Sequence, residues 1–220
     1  MPFTSRTTPN RLADRVTHER ALVHQILDEA LVSHLAYTVD GEPRVLPTLH
    51  VRLDDTLYLH GSTGSRPLLT ARGEEGMAVC VAVTLIDGLV LARSQFHHSA
   101  NYRSAVIYGQ ARLVTDEPVK RQVLAALVDH IVPGRAADSR PPNPRELAQT
   151  AVLAVPLAES TAKVRTGAPD DETDDLALRH WSGVLPLRLA AGAPVTGDQG
   201  VPVALPPYLH GYCRDTAPQR

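Results

Sequence analysis

Three two-residue interruptions, Asp40-Gly41, Asp54-Asp55 and Asp87-Gly88, fall between runs whose apolar residues alternate with polar ones. Turns that short join antiparallel neighbours, because a parallel pair needs a crossover of a dozen residues or more. A parallel α/β sheet is therefore disfavoured. Residues 33–39, 43–53 and 56–59 read as a three-stranded meander, and 77–86 with 89–94 as a hairpin. A long strand over 102–114 follows, and 151–166 reads as one or two more. Six or more antiparallel strands with few helices are arranged most economically as a closed or partly closed barrel, which removes bare edges.

Elsewhere the period changes to that of a helix. In 17–32, Ala21, Leu22, Ile26, Leu27, Ala30 and Leu31 form one stripe behind Thr17, a plausible N-cap. A short helix is expected over 65–72, stopped by Gly73 and Gly76, and a longer one over 117–132. A linker with Pro133, Pro141, Pro142 and Pro144 comes next. After Gly167, Asp170, Asp171, Glu172, Asp174 and Asp175 form an acidic run expected to be solvated. The division expected is an N-terminal arm over 1–16, one main domain over 17–187 and a Gly/Pro-rich tail over 188–220.

Composition removes several function classes. Apolar residues make up 43%, enough for a sizeable core, and a formal net charge of −2 offers no basic field for nucleic acid. The longest apolar run, Met77 to Ala92, is broken by Asp87-Gly88 and is too short to span a membrane. Two cysteines, Cys80 and Cys213, support neither a disulfide scaffold nor structural zinc. With no apolar leader at the N-terminus, the expectation is a cytoplasmic protein.

The stretch 58-YLHGSTGSRPLLTA-71 carries the first chemistry. A strand running into a loop of glycines and hydroxyls, then into a helix start, is a common anion site. Unpaired backbone N–H groups, the helix dipole, Ser62, Thr63, Ser65 and the Arg66 fork all suit a phosphate. The plainer reading is that Ser65 caps the helix and Arg66 points to water. Ten histidines raise the question of a metal or heme, yet no HExxH or CxxC pattern occurs and no metal site is expected. His97 and His98 are adjacent and in a strand would face opposite sides.

Three segments taken together narrow the choice: Tyr58 to Gly61 (Y-x-H-G), His98 to Val106, and Trp181 to Leu187 (W-x-G-V-x-P-L). In combination they resemble the FMN-binding split-barrel superfamily of pyridoxamine 5′-phosphate oxidase, and within it the nitroimidazole-reductase-like branch. The resemblance runs over roughly residues 15 to 187. It implies a mainly β (α+β) fold, a six-stranded antiparallel split β-barrel with a few peripheral helices, and FMN as cofactor. By position, Ser65 and Arg66 would contact the flavin phosphate. Arg44, Val45, Leu46 and Thr48 would run along the ring edge, and His60, Gly61 and Ser62 would lie near the ring or ribityl chain. Asn101, Tyr102 and Trp181 would complete the pocket. The family pairs two barrels with each flavin at the interface, so a homodimer is expected.

Two departures from the family pattern matter. Pro67 follows Ser65-Arg66 where the family has a phosphate-binding lysine, and the C-terminal Arg-x-Pro-x-Arg segment of vitamin B6 oxidases is missing. Pyridoxamine phosphate is therefore not the expected substrate. The activity expected is reduction of a small nitroaromatic or quinone-like molecule with electrons from a nicotinamide. His60 is the candidate catalytic residue, since imidazole transfers protons near neutral pH. The competing readings are a flavin- or heme-binding carrier or sensor without turnover, with His97 or His98 as axial ligand, and a deazaflavin-dependent reductase.

Overall fold

The computed structural model describes residues 4–8, 13–65, 71, 73, 75–197, 200–201 and 203–214. Strands β1 (Val16–Thr17), β2 (Val32–Val39), β3 (Glu42–Leu53), β4 (Thr56–Ser62), β5 (Met77–Leu91), β6 (Ser99–Leu113), β7 (Thr150–Pro156), β8 (Glu159–Arg165) and β9 (Gly183–Pro186) form one antiparallel system. Helices are α1 (Arg20–Glu29), α2 (Glu117–Ile131) and α3 (Pro144–Gln149). Pairing runs β6–β7–β4–β3–β2–β5, and β5 pairs back onto β6. Six strands thus close a ring, as expected of a split barrel, with β8 and β9 added outside it.

The meander β2–β3–β4 forms at its expected turns. Asp40 and Gly41 both have positive φ (53° and 80°), the geometry of a hairpin turn whose twist matches its strands. The Asp87-Gly88 hairpin does not form. Residues 77–91 are one strand, and both halves pair with β6 across an irregularity between Ile86 and Gly88. A turn there would need the halves to pair with each other. Instead the second half takes β9 on its free edge, and Asp87 is held by Arg103 of β6.

Alternate residues of these strands face inward. Leu35, Leu57, Leu59, Val79, Val81, Val83, Ala105, Ile107, Leu153 and Val155 form one buried cluster with Val23, Ile26 and Leu27 of α1. Those three helical residues are fully buried, so α1 closes the interior, each side chain contributing about 2 kcal/mol of burial. The helix is shorter than the period suggested. Thr17 pairs with Ala162 in β1–β8, and Glu19 takes the N-cap position. Outside the ring, Val123 and Leu127 of α2 pack on Val51 and Val152. The Pro-rich linker ends in α3, started by a capping box of Asn143 and Glu146. The helix expected over 65–72 lies mostly outside the described residues.

Two polar clusters brace this core. Arg103 reaches from β6 to Glu29 at the end of α1 (2.5 Å) and to Asp87 (2.7 Å). Those hydrogen bonds hold its guanidinium in the charged form. His50 is fully buried, donating from Nε2 to the Leu27 carbonyl at 2.9 Å, and burial pushes its pKa down to about 4. No helix among the described residues is long and apolar enough to cross a membrane.

Candidate functional site

The ladder between β3 and β4 runs from Leu53–Thr56 to His50–Leu59 and ends there. Past that point β3 keeps only its partner β2, out to Glu42–Val39. Among the described residues the other edge of residues 42–48 carries no strand, and apolar Val45 and Leu46 stand exposed there beside the charged Glu42 and Arg44. Val45 is 64% exposed and Leu46 42%. Arg44 pairs with Glu42 at 2.5 Å, and the Thr48 hydroxyl contacts the Leu49 carbonyl. Pro43 and Pro47 have no N–H to offer, so the edge does not invite another strand.

Beyond the split, β4 continues against β7, with His60 opposite Val152, Gly61 opposite Ala151 and Ser62 opposite Thr150. The turn that follows spends its own amides. Thr63 N–H donates to the Gln149 carbonyl, Gly64 N–H to the Ser62 hydroxyl, and Ser65 N–H to the Ser62 carbonyl. The amides of Thr63, Gly64 and Ser65 are thus satisfied internally. Among the described residues of this turn, Ser62 accepts from Gly64 and keeps its own O–H to donate to an anion. Arg66 and Pro67 lie outside the described residues.

His60 stands on this strand end with Nδ1 buried and no hydrogen-bond partner among the described residues. Burial alone lowers its pKa, so the ring is neutral at pH 7. A ligand atom reaching this strand end would satisfy it; His50 Nδ1, in the core, is unpartnered in the same way among the described residues.

A second group of residues meets at the far end of β5. Leu91 pairs with Gly183 and Val90 with both Ser99 and Val184. Loop 92–98, the start of β6 and the segment around Trp181 therefore come together. Phe96 is 88% exposed and Trp181 67%. His97 ends a short 3-10 turn rather than sitting in a strand, and its Nε2 lies 3.5 Å from Glu172. His98 faces solvent, and its Nδ1 is 2.9 Å from the Ser94 carbonyl. Since a carbonyl only accepts, Nδ1 carries a proton, and Nε2 is the ring nitrogen left to face outward.

Asn101 and Tyr102, neighbours on β6, point to opposite faces. The Asn101 amide is used on both sides, donating to the Gly167 carbonyl at 3.1 Å and accepting from Arg165. It ties β6 and β8 to the turn after them. Tyr102 is half-buried and points away from the face that carries Arg103.

Asp171 was missed by the sequence reading. Its side chain is only 5% exposed, within a run expected to be solvated. It accepts from the Arg93 backbone N–H (2.6 Å), the Arg93 guanidinium (2.5 Å) and the Ser182 hydroxyl (2.6 Å). No local signal separates it from its acidic neighbours, because both partners are distant in sequence. Among the described residues no three His, Cys, Asp or Glu side chains come together as a metal site.

A family profile described as pyridoxamine 5′-phosphate oxidase matches residues 19–164, which includes the whole ring. The chain belongs to the pyridoxamine 5′-phosphate oxidase family. Within the reach of this family's fold, the structure of the flavocytochrome Anf3 from Azotobacter vinelandii is 35% identical, with a TM-score of 0.87 over 94% of this chain and 96% of that one. The FAD and heme binding protein from Mycobacterium smegmatis is 37% identical, with a TM-score of 0.84 over 90% and 97%. A putative 5-nitroimidazole antibiotic resistance protein from Bacteroides thetaiotaomicron shares the fold at 22% identity and a TM-score of 0.57, over 68% and 86%. No curated protein matches the chain.

Proposed function

We propose that this member of the pyridoxamine 5′-phosphate oxidase family is a redox protein that binds a flavin at the split of its barrel and a heme near the end of β5. The observation that carries the reading is its likeness, over nine-tenths of its length, to two proteins named for a flavin and a heme together. That length includes the segments after the barrel that the family profile leaves out.

The residues fit such groups. For the flavin, the bare β3 edge supplies apolar surface at Val45 and Leu46, His60 offers an unpartnered buried nitrogen, and Ser62 a free O–H. Arg44, Thr48, Gly61, Ser65, Arg66 and Tyr102 remain its further candidates. FAD is favoured over FMN, because one of the two similar proteins is named for FAD and because Pro67 replaces the lysine expected to hold a terminal phosphate. For the heme, His98 is preferred to His97. A ring whose Nδ1–H is fixed by a backbone carbonyl presents a basic, oriented Nε2, the usual second bond of a metal-binding histidine. His97 is already engaged with Glu172.

A bound flavin supplies hydride acceptance and one-electron transfer, and heme supplies one-electron exchange. This chain's own part is positioning and proton management. His60, whose protonation burial disfavours, accepts or donates a hydrogen bond there as a neutral ring without adding charge. The electron source is a nicotinamide and the acceptor a small organic molecule. A homodimer accounts for the apolar surface left bare at Val45, Leu46, Leu185 and Leu189.

The deciding experiment is the absorption spectrum of the protein as purified, with the released flavin identified by chromatography. Flavin bands together with a Soret band that is lost in His98→Ala and retained in His97→Ala are expected. A colourless protein that binds neither FAD nor FMN would overturn the proposal and bring deazaflavin forward. Flavin that a nicotinamide does not bleach anaerobically would remove the enzymatic step and leave a carrier.

A further inference from the structure

The last turn of a helix leaves its backbone carbonyls without partners inside the helix. In α1 these acceptors are met from elsewhere in the chain. Ile26 accepts from the Ala30 N–H, and Leu27 from His50 of β3. Asp28 and Glu29 both accept from the Arg214 guanidinium, at 3.2 Å and 3.0 Å. The same guanidinium donates to the His130 carbonyl at the end of α2, and the Tyr212 hydroxyl donates to the Ile131 carbonyl at 2.5 Å. One cation near the C-terminus thus answers the negative ends of two helix dipoles.

His130 completes the group. Its Nε2 donates to the Ala30 carbonyl at 2.8 Å and lies 3.4 Å from Arg214 Nη2, which sets two donors side by side. Its ring centroid is 5.4 Å from that of His50. A cavity of about 240 Å3 lies between Tyr212 and Cys213 of the tail and Asp28, Glu29 and Asp129 of the helices, roomy enough for water. The carboxylates are engaged, Asp28 with Arg52, Glu29 with Arg103 and Asp129 with the Ala136 N–H. A proton added to His130 therefore faces the Arg214 cation, with Asp28, already paired, to offset it.

The tail reaches this seat across a loose span. Every described residue from 187 to 205 is exposed and outside any helix or strand. The return is held by side chains: Tyr208 donates to Asp138 at 2.7 Å, and Tyr212 and Arg214 follow. Such a contact opens locally without disturbing the ring.

We infer that residues 208–214 form an acid-released clasp, in which Arg214 locks the tail onto the ends of α1 and α2 and proton uptake at His130 opens it. The clasp is independent of either cofactor. Burial, with the Arg214 charge behind it, holds His130 below the usual imidazole range, while the Ala30 bond works the other way. Opening takes the guanidinium away, so the open form binds the proton more tightly. The clasp is whole above about pH 6.5 and loosens as the pH falls through the His130 value. His50, at about 4, stays neutral over most of that range. Release turns the span from a loop held at both ends into a free tail carrying Leu189, Val195, Val201 and Val203 exposed.

The test uses the full chain as purified, labelled for NMR. Amide exchange at Leu209 and His210, whose N–H groups close the tail's own turn, reports the clasp. Titration of the His130 ring reports the coupling. Between about pH 7.5 and about pH 5.5, protection at these amides, corrected for intrinsic rates, should fall about threefold. In Arg214→Ala it should be about tenfold lower at both pH values, and the His130 midpoint should rise, since the coupling is reciprocal. Arg214→Lys, which lacks the planar fork, should fall between the two. His130→Gln, which keeps a donor for Ala30, should hold the clasp closed at both. Protection at Ile107 and Leu153 in the ring should stay unchanged throughout, which separates opening from unfolding. Equal protection in the parent and in both Arg214 variants would overturn the clasp. Parent protection that ignores pH, or a His130 midpoint that Arg214→Ala leaves in place, would overturn the acid step.

Discussion

The barrel interior and the rim around β3, loop 92–98 and β9 use the same apolar residue types in opposite ways. Inside, Leu57, Val81, Ile107 and Leu153 are within 1% of full burial. On the rim, Val45, Leu46, Phe96, Trp181 and Leu189 range from 42% to 88% exposed. The histidines do not divide this way: His50, fully buried with Nε2 bonded to the Leu27 carbonyl, and His60, ten residues on, both keep a buried Nδ1 with no partner among the described residues. A region that leaves sticky surface in place is built for something that binds.

The sharpest way to break this comparison is truncation on both sides of it. Leu57→Ala should cost about 3 kcal/mol in urea unfolding, from lost transfer energy plus a cavity. Leu189→Ala, at 74% exposure, should cost under about 0.5 kcal/mol. Equal effects would mean the rim is packed in solution by something that forms part of the fold.

Acid should act next, through the interior. A histidine whose folded pKa lies below its unfolded value near 6.5 leaves stability whole above pH 6.5. Stability then falls as the pH drops, because the unfolded chain binds the proton first. For His50, with a folded value of about 4, the loss between pH 6.5 and 4 is about 3 kcal/mol at most. His60 and His130 are shifted the same way. His50→Gln, which keeps a donor for Leu27, should flatten a plot of unfolding free energy against pH over that window. A slope unchanged in this variant would assign the acid sensitivity elsewhere.

Smaller still is the Arg103 brace. Arg103→Met removes the cation shared by Glu29 and Asp87 and leaves two carboxylates part-buried, at a cost of about 2 kcal/mol at pH 7. Urea unfolding of the variant at pH 7 measures that deficit, and a midpoint equal to the parent's would show that the brace adds no stability. Arg44→Ala is the counterpart on the rim. Its pair with Glu42 is solvent-exposed and should contribute under about 0.5 kcal/mol to unfolding, so any larger effect should appear in FAD titration instead.

Particular residues show how far sequence reading carries. Alternating runs with Asp40-Gly41 and Asp54-Asp55 between them were enough to set the meander, because hairpin turns and strand period are local properties. The Asp87-Gly88 pair carried the same local signal and meant something else. Whether it turns depends on whether its flanks find each other or find β6, and that choice is made by distant strands. The Y-x-H-G, H-S-x-N-Y-R and W-x-G-V-x-P-L segments were enough to point to the family, since each keeps its own residue types at fixed local spacing.

What tertiary structure alone decided is which of these groups are spent. Sequence offers Thr63, Gly64 and Ser65 as donors, and only the fold shows their amides turned onto Gln149 and Ser62. It offers Asn101 as a pocket residue, and only the fold shows both ends of its amide occupied. It offers five similar acids after Gly167, and only the packing of β9 against β5 shields Asp171 among them. Local chemistry is written in neighbours along the chain. Burial and partnership are made between residues dozens apart, as with Arg93 and Asp171, and no local pattern contains them.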